Sequence, residues 1–148
     1  MLWNRRSIFA RLLPASAAAV ATTASRAVAA DDVQKVVYHL SDLQKADFVL
    51  GNIANHIAGK GGADKVRIVL VVHGPALRFF EKAKANPDVT RRMQAFADDG
   101  VGFAACGNTM TAQKLGRDDL LPGFEVATEG GVVRIADLQQ QGFVYLRP

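Results

Sequence analysis

"KVRIVLVVHG", residues 65–74, is the stretch whose reading decides the fold. From Ile68 to Val72 it is apolar at every position and rich in β-branched side chains. A strand that is apolar on both parities needs cover on both faces, which is the situation of a central strand in a parallel sheet. Gly74 and Pro75 end it, and proline in a first helical turn gives up an N–H that would have no partner there anyway. A helix is therefore expected from Pro75, with Ala76, Phe79, Phe80 and Ala83 on its inner face.

Working outward toward the N-terminus, "VQKVVYHL" reads as a first strand ending near His39. Ser41 or Asp42 can cap the helix that follows. Leu43, Ala46, Leu50, Ile53 and Ile57 recur at spacings of three and four as its core-facing stripe, which stops at the glycines of "GKGG". Phe48 projects away from that stripe, on the side of Asn52 and Asn55, as a candidate subunit contact, and His56 sits at the stripe's border.

Toward the C-terminus, "NPD" at 86–88 breaks the chain before a helix that places Val89, Met93 and Phe96 together and ends at Gly100. "VGFAAC" is a third strand, Asn108 caps a short helix through Leu115, and "FEVAT" is a fourth strand. "GVVRIADLQQQ" is a further helix and "FVYLRP" a fifth strand. Alternating strands and helices with crossover-length connections predict a three-layer α/β domain with a mainly parallel, five-stranded sheet.

The segment before Asp31 is of another kind. It carries the twin arginines Arg5 and Arg6, an alanine-rich, weakly apolar middle interrupted by Arg11 and Pro14, and small residues at Ala27, Ala29 and Ala30. That order predicts a cleaved export signal of the twin-arginine type over residues 1–30, with a single domain over 31–148 acting in the periplasm without a lasting membrane anchor. Four of the chain's 18 basic residues lie in this leader, which leaves 14 against 14 acidic ones. A nearly neutral domain gives no electrostatic case for a nucleic-acid partner.

Chemistry in an open α/β sheet gathers at the carboxyl ends of the strands, and those ends carry His39, His73 and Cys106. Cys106 is the chain's one cysteine, so it makes no internal disulfide. Gly107 permits a tight turn after it, and Asn108 and Thr109 open a helix whose unpaired N–H groups and dipole favour thiolate over thiol. If the second and third strands are neighbours, His73 reaches the same rim and can exchange a proton with that sulfur. The plainer alternative is a buried, inert cysteine that packs as a small hydrophobe. "HIAGKGG" lacks the first glycine and the Ser or Thr of a phosphate loop. There is no Cys-x-x-Cys, no paired-histidine zinc spacing and no Gly-x-Ser-x-Gly elbow, so no metal or cofactor is expected.

The ordered set "NIANHIAG", "VVHGPAL", "GVGFAACGNTM" and "DLLPGFEVATEGGVVRIADLQQQGFVYLRP" resembles the DsrE/DsrF-like family of small sulfur-relay proteins, from about Lys35 to the C-terminus. The resemblance implies an α/β/α sandwich around a parallel five-stranded sheet, assembled into homo-oligomers. It also implies that Cys106 takes up sulfane sulfur as a persulfide, from a small sulfur compound or a donor protein, and passes it to a partner, as a sulfurtransferase-like carrier. By likeness of motif, His73, Asn108, Thr109, Asn55 and His56 line the same pocket. Named members act in the cytoplasm as parts of hetero-oligomers, from which a chain with an export leader departs.

Overall fold

The computed structural model describes residues 33–148, and the expected leader over 1–30 lies outside the described residues. Five strands, β1 (Gln34–Leu40), β2 (Val66–Val72), β3 (Gly102–Cys106), β4 (Phe124–Ala127) and β5 (Val144–Leu146), form one sheet in the order β4-β3-β2-β1-β5. Every pairing is parallel, and the apolar run at 66–72 is its middle strand.

Four α-helices connect them: α1 (Ala46–Lys60), α2 (Pro87–Asp98), α3 (Gly107–Gln113) and α4 (Gly131–Gln140). The chain steps from β1 through β4 toward one edge, then returns past β1 to the other edge. Crossovers between parallel strands keep one hand, so reversing the direction of travel moves the helix to the opposite face. Accordingly α1, α2 and α3 pack on the face bearing Val36, Leu70 and Phe103. The other face, with Val37, Val71 and Ala104, is met by Ile135 and Leu138 of α4 and by Phe143.

Three local expectations are corrected. Asp42 accepts from Gln44 N at 2.9 Å and closes a 3-10 turn over Leu43–Lys45, which turns Leu43 outward to 42% exposure and leaves Ala46, Val49, Leu50 and Ile53 as the buried stripe. The helix from Pro75 is a 3-10 run over Gly74–Phe80. With three residues per turn it buries Ala76, Leu77 and Phe80 and leaves Ala83 exposed beyond its end. Leu121 N donates to Phe80 O and Lys82 N to Asp119 O, so pairing with a distant loop ends the run. Third, α3 stops at Gln113, with Lys114 in the left-handed region. Asn86 caps α2 by accepting from Asp88 N, a role the sequence reading did not assign, and Phe48 stands 61% exposed.

Candidate functional site

After β3 the chain turns into α3 on one face of the sheet, and after the adjacent β4 it turns into α4 on the other. Loops that part in this way open a crevice at the strand ends, the usual ligand position in such sheets. Cys106, paired with Ala127 across β3 and β4, lies at that parting. Its residue surface is 6% exposed.

Register brings the histidines to the same rim. Val72 pairs with Ala105, so His73, one residue beyond β2, stands level with Cys106, and its N–H continues the ladder to Leu40 O at 3.0 Å. Side chains alternate along a strand, so His39, His73 and Cys106 share the α4 face with Val37, Val71 and Ala104. Gly131, the first residue of α4, fits between them: a Cβ there would lie 3.2 Å from the Cys106 Cβ and 3.4 Å from the His73 Cβ. Its lack of a side chain lets the N-terminus of α4 reach the sulfur.

The expected cap is corrected as well. Cys106 itself is the N-cap of α3, while Asn108 sits inside the first turn, exposed, with its amide nitrogen against Gly130. Gly107 serves a close approach, since a Cβ on it would meet Ala127 O at 3.0 Å.

Burial, the largest single influence, pushes the Cys106 thiol up. It is outweighed by the Thr109 hydroxyl and the main-chain N–H groups of Gly131, Thr109 and Asn108, and the net result lies below the ordinary thiol value. None of these groups closes a well-formed capping hydrogen bond, so the effect is that of several dipoles aimed at one atom. Two helix starts meet at the sulfur, where the sequence suggested one.

Side chains of α3 hold the turn after His73. Gly74 N donates to Thr109 Oγ1 at 2.9 Å, and Gln113 Nε2 donates to Gly74 O at 2.8 Å. Thr109 and Gln113 are four residues apart and so share one face of the helix. Gln113 Oε1 is buried without a partner, a cost of about 1–3 kcal/mol that holding Gly74 in place has to offset.

His73 Nε2 meets His39 Nε2, and His39 Nδ1 meets Tyr145 Oη at 2.6 Å. Burial, then His73 and Arg147, pull His39 down to about 4; burial and then Arg147 lower His73. Both imidazoles are therefore neutral at pH 7. Beside His39 a cleft of about 60 Å³ is lined by Ser41, Asp42, Lys45 and Arg147 among others.

Asn55 and His56 are not brought to this rim. Tyr38, on the opposite face of β1, donates its hydroxyl to His56 Nδ1 at 2.9 Å, and His56 Nε2 donates to Gln34 Oε1 at 3.1 Å. Asn55 borders a separate open groove with Tyr38 and His56. Gly131, Gln113, Tyr145 and Arg147 escaped the sequence reading. The glycine pair ahead of the last helix is a signal that could have found Gly131; Gln113, Tyr145 and Arg147 carry none in the sequence. Among the described residues, no three His, Cys, Asp or Glu are grouped to hold a metal ion, and no helix is long and apolar enough to cross a membrane.

The profile of the DsrE/DsrF-like family matches residues 16–148. Among solved structures, the protein of unknown function MTH1491 from Methanobacterium thermoautotrophicum is 28% identical, covers 78% of this chain and 99% of its own, and superposes with a TM-score of 0.68. The ychN protein from E. coli is 11% identical over 78% of this chain and 99% of its own, with a TM-score of 0.57, a likeness of fold alone. No curated protein matches the chain.

Proposed function

This chain belongs to the DsrE/DsrF-like family, generally one of sulfur relay, and from that premise we propose that Cys106 accepts sulfane sulfur as a persulfide and hands it to a partner molecule. The observation that carries the reading is the convergence of the α3 and α4 starts on the one thiol. The Cys106 thiolate attacks the outer sulfur of a persulfide, polysulfide or thiosulfate donor. A bond forms between Sγ and that sulfur, the donor's S–S bond breaks, and the remainder leaves with the electron pair as a thiolate or sulfite. No external oxidant is needed.

Asn108 and the surrounding N–H groups steady the negative charge, which stays on sulfur throughout, and His73 takes the thiol proton beforehand. Hand-over reverses the step: an acceptor thiolate attacks the terminal sulfur, the bond from that sulfur to Sγ breaks, and Cys106 leaves as the thiolate that the helix starts favour. We further propose that the protein is exported by its leader, acts in the periplasm and assembles as a homo-oligomer.

The test is intact mass after incubation with a sulfane donor: the wild type gains the mass of one sulfur and Cys106→Ser gains none. A wild-type protein that stays unmodified while its thiol can still be alkylated overturns the proposal. The burial of Cys106 favours a second reading, an oligomeric binding or accessory protein with a structural cysteine. A thiol that labels only after denaturation would establish it.

A further inference from the structure

The geometry points to a hydrogen-bonded chain of His73, His39 and Tyr145 that carries the Cys106 proton to solvent, with His39 and Tyr145 as positioning and relay residues behind His73. The inference rests on the reading of Cys106 as a sulfur acceptor and adds the route by which its proton leaves.

The two imidazoles come from adjacent strands and face the same side. Their planes are 21° apart and their centroids 4.6 Å apart, with Nε2 opposite Nε2, so the rings meet edge to edge in nearly one plane. That is the orientation in which an N–H on one ring points into the in-plane lone pair of the other. Two neutral imidazoles in this contact must hold one proton between the two Nε2 atoms, so the tautomer of each fixes that of the other. Beyond them, His39 Nδ1 is paired with the Tyr145 hydroxyl, which is exposed. At the inner end His73 is left with Nδ1, and its side chain neighbours that of Cys106: the two residues stand level on the same face, with both Cβ atoms flanking Gly131.

In the receiving arrangement His73 Nε2–H donates to His39 Nε2, His39 Nδ1–H donates to Tyr145 Oη, and His73 Nδ1 carries a free lone pair. The Cys106 proton passes to His73 Nδ1 and the His73 Nε2 proton to His39 Nε2. The His39 Nδ1 proton then passes to Tyr145 Oη, which releases its own proton to water. Cys106 ends as thiolate, one proton has left, and both rings are neutral in the opposite tautomer. His73 now carries its proton on Nδ1, the nitrogen that took it from the sulfur. Because no ring stays cationic at the end of the transfer, the route works where burial and Arg147 disfavour imidazolium.

Few other charged groups bear on this chain. The start of α4 brings Gly131, Val132 and Val133, and the turn before it the exposed Glu129. From α3 come Thr109 and Gln113, from the turn after β1 Ser41, Asp42 and Lys45, and from the end of β5 Arg147. A metal-binding role for the histidine pair lacks a third His, Cys, Asp or Glu among the described residues.

The experiment compares wild type, Tyr145→Phe and His39→Gln for the single-turnover rate of sulfur loading from glutathione persulfide across a pH series. Phenylalanine keeps the exposed ring and removes only the last link; glutamine offers one amide to His73 and cannot relay. Both variants are expected to load about tenfold or more slowly near neutral pH and to rejoin the wild type at alkaline pH, where the thiol is already ionised. Rates within about twofold of wild type throughout, or a loss equal at every pH, overturn the relay. Nitrogen-labelled histidine NMR separates this inference from the sulfur reading: titrating Cys106 should switch the protonated nitrogen of both rings together. Rings that keep one tautomer, or that switch independently, overturn the relay whether or not sulfur loads.

Discussion

Thr109→Val is the sharpest single perturbation of the candidate site, because it preserves shape while removing one oxygen with two jobs. That oxygen accepts the Gly74 N–H at 2.9 Å, and its hydroxyl is the foremost of the groups that favour the Cys106 thiolate. Loss of an ordinary hydrogen bond costs about 0.5–1.5 kcal/mol of stability, and the partly buried Gly74 amide places the variant within that range. Hydrogen bonds to charged groups contribute about 1.5–3 kcal/mol, and the imperfect geometry around the sulfur puts this one near the lower bound. A difference of about 1.4 kcal/mol is a tenfold change in an equilibrium, so the ionisation equilibrium of the thiol should shift about tenfold toward the protonated form. Iodoacetamide alkylation followed by mass, over a pH series, reads that equilibrium directly, and urea denaturation reads the stability. The variant's alkylation curve should move to higher pH while its plateau at alkaline pH stays that of the wild type. An unmoved curve would show that the helix starts alone set the thiol, and the argument for Thr109 would fail.

Gly131→Ala should destabilise the fold, because overpacking between the β-carbons of Cys106 and His73 costs about 1–3 kcal/mol against at most about 1 kcal/mol of gained helix propensity. A midpoint of urea denaturation at or above the wild type's would show that the crevice has room to spare. His39 is neutral above about pH 6.5 whether the chain is folded or not. Below that the unfolded chain binds a proton that the folded chain refuses until about pH 4, so stability should fall across this window, in the same sense as for His56 and His73. His39→Gln should flatten the fall, and a variant that keeps the full wild-type slope would remove His39 as its source. Phe80→Ala empties a fully buried site that meets Phe79 and Phe124 edge-on, and should cost about 3–5 kcal/mol in denaturant titrations; less than half of that would mean the core collapses into the gap.

Hydrophobic pattern, punctuation and the alternation of strands with helices were enough to place the strands, their parallel sense and residues 66–72 at the centre, because an apolar run between crossover helices is covered on both faces in the middle of a parallel sheet. Likewise Cys106 had to end its strand at a helix start, since a glycine and polar residues follow an apolar run there. Tertiary structure decided the rest. That α4 crosses the opposite face, and so brings a second N-terminus to the sulfur, depends on β5 returning past β1, a pairing choice that local sequence does not encode. The partition of the histidines has the same origin. His39 and His56 are equally plausible site residues as letters, but strand alternation sends His39 to the Cys106 face, while α1 holds His56 against Tyr38 on the other. Tyr145 and Gln113 became visible only when residues 106 and 39 positions away in the chain came within hydrogen-bond reach. Periodicity reports which face of an element is buried; which distant atoms share that face is fixed by the order and register in which the elements pack.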